Sequence, residues 1–125
     1  MVYIIEHIYR GDVYYANLTE PYGSEQGGYR PVLIIQNDVG NRYSPTTLIA
    51  PLTSNMRKKL LPTHVFINGD DYGLERDSII LLEQARVIDK GRLDCYISSL
   101  DDEMMNDVDR ALLVSFGLVN AMAAC

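Results

Sequence analysis

The sequence predicts a mainly β protein: a small closed β-barrel with one α-helix packed on it. Three observations carry this. Short runs of β-branched and aromatic residues recur, each bounded by glycine, proline, asparagine or aspartate. Some of these runs are continuously apolar, the mark of strands buried on both faces. The last third of the chain then changes to a helical period.

In order, "GDVYYANL" is a strand closed by the turn residues "TEPYGSEQGG". "RPVLIIQND" is a second, buried strand, and "VGNRYSP" is a loop holding a helical turn. "TTLIAPLTS" is a third strand; Pro51 inside it predicts an edge or a bulge, because proline cannot donate to a ladder. "RKKLLPT" is a basic connection, and "HVFI" runs into a tight turn at Asn68-Gly69. "DSIILLEQARVID" is a buried run long enough to bend across two sides of a barrel. In the last third, Met104, Val108, Leu112, Phe116 and Val119 recur at helical spacing. Ser98 with Asp101, or Ser99 with Asp102, reads as the capping pair, and acids crowd the first turn where the helix dipole favours them. With no repeat, linker or low-complexity segment, residues 1–125 form one expected domain, and residues 1–9 an extension with no assigned role.

A chain of 125 residues buries roughly two-thirds of its unfolded surface, so its core needs neither disulfide nor metal. Although 47% of residues are apolar, no run approaches the ~20 of a membrane span. The start "MVYIIEHIYR" lacks a basic lead, and Glu6 and His7 interrupt it, so it is not read as a signal peptide. Cys95 and Cys125 read as free thiols of a reducing compartment, which makes the expected location cytoplasmic. The net charge of −6 is uneven. Up to Lys59, six basic residues meet five acids (+1); beyond it, five basic residues meet twelve (−7). A polyanion can still be held on the N-terminal half.

Arg30 precedes Pro31, so its backbone is extended, at the first position of a strand. Its guanidinium therefore stands on a rigid element beside a loop that Gly27 and Gly28 let fold closely. A planar, always-charged fork in that place suits a phosphate; the plainer reading is an ion pair to Glu25 or Glu20. Thr53 ends the third strand, where its hydroxyl either donates to a phosphate oxygen or closes a turn with Ser54. His64 opens a strand and reads as structural. Glu83 and Gln84 interrupt an apolar run, and a buried acid must be paired, with Arg30 or Arg86 as the expected partner. Tyr22, Tyr29 and Tyr43, in the loops around Arg30, stack on unpaired bases or serve an interface or the core. No zinc-spaced Cys/His cluster, glycine-rich phosphate loop or Gly-x-Ser-x-Gly elbow occurs, so no cofactor or metal is expected.

"RGDVYYANL", "GSEQGGYRPVLIIQNDVGNRYSPT", "LPTHV", "ERDSIILLEQARVIDKGRL" and "LDDEMMNDVDRAL" together resemble the MazF/PemK toxins of type II toxin–antitoxin modules. They are most similar to the Gram-positive branch, often called EndoA. The resemblance runs from Arg10 to Leu118. It implies an SH3-like barrel of about five to seven strands, assembled as a homodimer. It implies metal-independent cutting of single-stranded mRNA at short sequences, with U-A-C-A-U the expected kind of site, and arrest of growth. It implies a MazE-like antitoxin whose acidic tail occupies the RNA groove, and DNA contact only through that complex.

By the same resemblance, Arg30 and Thr53 are catalytic and the loop Gly23 to Tyr29 closes over RNA. Ser24, Gln26, Asn41 and Gln84 are the base-contacting positions, joined by Tyr29 for stacking, while Arg42 and Arg57 to Lys59 lead RNA in. Some relatives place an arginine and an aspartate on the late strand as acid and base; here Leu81 and Glu83 stand there. Glu25, Glu83 and His64 are the candidate proton carriers. A related toxin class uses a similar barrel to poison DNA gyrase without catalysis, and this is the alternative reading.

Overall fold

The structure, a computed structural model, describes residues 7–56 and 60–120. Strands form where β-branched and aromatic residues cluster: β1 (Asp12–Asn17), β2 (Tyr29–Ile34), β3 (Thr46–Thr53), β4 (His64–Ile67), β5 (Ser78–Leu81), β6 (Arg86–Asp89) and β7 (Leu93–Ser99). All neighbours pair antiparallel, in the order β4-β5-β3-β2-β1-β7, with β6 also on β3. A short helix α1 (Asp38–Tyr43) and a long one, α2 (Asp102–Ser115), complete the described chain.

Strand β3 is the pivot. Its first half, Thr46 to Ile49, pairs with β6, and Leu52 and Thr53 pair with β5. A 3₁₀ turn at Leu82–Gln84 joins β5 to β6, so the run "DSIILLEQARVID" does bend across two sides of the barrel. Pro51 departs from expectation: it lies on neither an edge nor a bulge but in this central strand, opposite Val32 of β2. It is tolerated because it falls between the stretches paired to β6 and to β5, where the ladder is interrupted. The two end strands are drawn together by the loop after β4, where Ser98 Oγ of β7 donates to Tyr72 O at 2.7 Å.

Two further expectations, both on α2, are corrected, and one strand lay outside the sequence pattern. The sequence pattern leaves β7 unmarked, because most of its side chains are exposed and no apolar alternation results. The helical turn expected in "VGNRYSP" is present as α1, capped by the Asn37 side chain, which accepts from the Gly40 N–H at 2.8 Å. Helix α2 is capped by Asp101 alone, whose side chain accepts from Met104 N at 2.8 Å; Ser98 and Ser99 belong to β7. The helix also stops before Phe116 and Val119, because Gly117 takes φ +71° and turns the chain back on itself.

The core has two parts. One, around Val13, Leu33, Leu52 and Ile80, receives Val108 and Ala111 from α2, with Met104, Met105 and Leu112 packed at its margin. The other holds Ile8, Tyr14, Ile34, Ile49 and Ile88. Of the N-terminal extension, Ile8 is therefore part of the core, whereas residues 1–6 lie outside the described residues. Burying each aliphatic side chain of this kind is worth about 1.5–3 kcal/mol. Arg10 ties helix to barrel: Nε donates to Ile35 O at 2.9 Å and Nη2 to Asp109 Oδ1 at 2.7 Å. With α2 fastened in this way, the antiparallel β2–β3 ladder is the base for what lies at the strands' ends.

Candidate active site

Extending the β2–β3 register two residues beyond Val32 and Pro51 sets Arg30 opposite Thr53. Both strands end here, so the pair stands at the rim of the barrel. The guanidinium is oriented by two backbone carbonyls: Nε donates to Gly27 O at 2.7 Å and Nη1 to Leu52 O at 3.1 Å. Arg30 makes no ion pair among the described residues, so the plainer reading, a bridge to Glu25 or Glu20, does not hold. Half-burial without a carboxylate beside it lowers the Arg30 pKa, and desolvation is the whole cause. Two of its five N–H donors are committed, and the other three remain for an anion.

Arg30 lines a cleft of about 320 Å³ together with Tyr15, Tyr29, Ser54, Glu75 and Arg76, over a floor that includes Leu74. Thr53 is buried between Leu52 and Ser54, which both line the cleft. Its Oγ1 accepts from Asn55 N at 3.2 Å, so it does close a turn. That role uses an oxygen lone pair and leaves the hydroxyl hydrogen available to donate.

The loop before Arg30 is built tightly. A Cβ on Gly27 would lie 2.6 Å from Thr19 O, and Gly28 takes φ +74°. Gln84, on the 3₁₀ turn, clasps this loop with both ends of its amide. Its Oε1 accepts from Gln26 N at 2.8 Å, and its Nε2 donates to Ser24 O at 3.3 Å. Ser24, Gln26 and Gln84 are thus brought together, through the loop's backbone. Tyr29 stacks flat on Tyr15, with ring centroids 5.1 Å apart and planes 1° from parallel. Its hydroxyl donates to Asp94 Oδ2 at 2.7 Å, and this bond, ahead of desolvation, pushes the Tyr29 pKa up to about 12.

Other sequence-derived positions fall elsewhere. Asn41 is buried, with its amide spent on Gln36, Asp38 and Thr47, and its carbonyl accepts from Lys90 Nζ. It braces α1 and has no free edge for a base. Arg42 lies over the ring of Tyr43, 5.4 Å from its centroid, on a helix that follows β2's other end, so neither flanks Arg30. Glu83 does not meet Arg30 or Arg86. Its Oε2 accepts from His64 Nε2 at 2.6 Å and from Thr63 Oγ1 at 2.7 Å. His64 Nδ1 accepts from Leu61 N, which leaves the ring hydrogen on Nε2 for Glu83. Glu25 accepts from Tyr22 N. None of these three proton-carrier candidates lines the cleft; the carboxylate that does is Glu75, which lay unremarked in "ERDS". Leu81 is fully buried. Arg57 to Lys59 and Cys125 lie outside the described residues.

The sequence pattern of the PemK-like, MazF-like toxins of type II toxin–antitoxin systems matches residues 9–116. The chain belongs to this family. It is 60% identical over 111 residues to Endoribonuclease EndoA of Bacillus subtilis (strain 168), covering 89% of this chain and 96% of that one. In three dimensions it is similar to a mycobacterial endoribonuclease solved in complex with its cognate antitoxin: TM-score 0.74, 26% identity, 90% of this chain and 98% of that one. MazF of Deinococcus radiodurans shares the fold at TM-score 0.72 and 24% identity, over 92% and 98% of the two chains. The MazF-type barrel with a C-terminal helix is thus the fold of this protein.

Proposed function

We propose that this chain is the toxin of a type II toxin–antitoxin pair and an endoribonuclease that cuts single-stranded mRNA without a metal. The observation that carries this reading is Arg30: a guanidinium held by two carbonyls, with no carboxylate partner among the described residues, facing an open cleft beside Thr53.

RNA brings its own nucleophile. The ribose 2′-OH lies beside the scissile phosphate, so the protein must align the two and stabilise the charge of the pentacoordinate transition state. Arg30 takes the non-bridging oxygens, and Thr53 donates its hydroxyl hydrogen to one of them. The 2′-oxygen gives up its proton to solvent in the open cleft and bonds to phosphorus as the 5′-oxygen leaves and takes a proton from solvent, giving a 2′,3′-cyclic phosphate and a 5′-OH end. A guanidinium is a poor general base, so Arg30 acts as the electrostatic clamp. Ser24, Gln26 and Tyr29, on the loop above the cleft, meet bases of a U-A-C-A-U-like site. The working form is a cytoplasmic homodimer, and a MazE-like antitoxin occupies the same groove and carries any DNA contact.

Cleavage of a short unpaired RNA in EDTA tests this, beside the same strand carrying a 2′-deoxyribose at the cut. The all-ribose strand is cut and the deoxy strand is spared; cutting of the deoxy strand would exclude 2′-OH attack. Arg30→Ala abolishes cutting, and Thr53→Ala slows it by roughly 10²–10³ with little change in RNA affinity. Intact RNA together with inhibited supercoiling would favour the gyrase-poison alternative.

A further inference from the structure

The cleft holds a second cation that the cutting step does not use. Arg76 lines it together with Arg30, and its guanidinium has no ion-pair or hydrogen-bond partner among the described residues. Its loop is braced to keep it there. Gly69 N donates to Asp77 Oδ1 at 2.8 Å, and Leu74 N donates to Gly69 O at 2.9 Å. The Gly69 backbone presses so close that a Cβ there would lie 2.7 Å from Arg76 C and O. Asn68 Oδ1 caps the same turn by accepting from Asp70 N at 3.0 Å. Against these two guanidiniums the described residues of the lining offer one carboxylate, Glu75, so their charge favours an anion. The parallel Tyr15–Tyr29 pair adds an aromatic face to the same lining, and Asp94 holds the Tyr29 hydroxyl.

We propose that Arg76 forms a second phosphate subsite beside Arg30, taking the phosphate of the nucleotide next to the cut while that nucleotide's base stacks on the Tyr15–Tyr29 pair. The subsite rests on the ribonuclease reading and deepens it. Its ligand is a single-stranded polynucleotide, because a duplex would keep that base in its own stack.

The test is binding of an RNA strand made uncleavable by one 2′-deoxyribose, followed by fluorescence anisotropy across a salt series. Arg76→Gln weakens binding several-fold and lowers the slope of log affinity against log salt by about 0.7, the value for one single-strand phosphate contact. Arg76→Lys keeps the slope. Replacing each phosphate in turn by a neutral methylphosphonate erases the difference between wild type and Arg76→Gln at one position only. Tyr29→Leu also weakens binding, and an abasic nucleotide beside that phosphate removes the loss. Equal affinity and slope in Arg76→Gln, or a difference that survives at every methylphosphonate position, overturns the subsite and leaves the cutting reaction intact. Failure of the wild type to cut the all-ribose strand overturns the ribonuclease reading and the subsite together.

Discussion

A single side chain, Tyr29, shows how one hydrogen bond reaches across the barrel rim. It opens β2, stacks on Tyr15 of β1 and donates to Asp94 of β7, so it pins three adjacent strands at the mouth of the cleft. Asp94 pushes its pKa up to about 12 because ionising the phenol would lose this bond and set two negative charges side by side. The folded protein therefore holds the proton more tightly than the unfolded chain. The bond's contribution is complete below the ordinary value of 10.0 and is lost as pH rises through about 12. Asp94→Ala is expected to return Tyr29 toward 10.0, read as earlier tyrosinate absorbance in an alkaline titration. An unchanged titration would mean that the phenol is not held by Asp94.

Among the elements, the loop between β1 and β2 depends on a residue far from it in sequence. Gln84 sits on the 3₁₀ turn between β5 and β6, yet its amide supplies an acceptor to Gln26 and a donor to Ser24. The same loop gives Gly27 O to Arg30 Nε, so the clasp orients the guanidinium at one remove. Each such bond is worth about 0.5–1.5 kcal/mol net. Gln84→Ala is therefore expected to speed hydrogen exchange at the Gln26 amide by roughly five- to tenfold and to leave α2 untouched. Cleavage falls because Arg30 spends less time aimed at the phosphate. Full protection of Gln26 in that variant would mean that the loop is held by its own turns.

For the whole molecule, the proposed homodimer needs an apolar face, and the outer side of β3 and β6 offers one. Leu48 and Val87 are cross-strand partners, and both are exposed, 40% and 56% respectively. Tyr43 and Val39 on α1 add exposed apolar surface, and α1 packs against β3. This is the face assigned to the proposed homodimer, because covering contiguous exposed apolar area removes it from water. Leu48→Asp is expected to halve the mass measured by light scattering and to keep the circular dichroism of the barrel. A wild type that runs as a monomer would remove the dimer from the proposal.

The first six strands, the terminal helix and the strand-end positions of Arg30 and Thr53 were legible in the sequence, because each depends on local chemistry. Apolar runs, turn residues and an X-Pro step fix backbone conformation wherever they occur. The same local signals misread Pro51 and missed β7, since a proline's tolerance and a strand with little burial depend on neighbours. Only tertiary structure could send Glu83 to His64, bring Lys90 onto Asn41 of α1, and gather Glu75 and Arg76 into the cleft with Arg30. Those pairings join residues distant in the chain, and electrostatic and hydrogen-bond energies depend on distance in space, to which sequence separation is no guide.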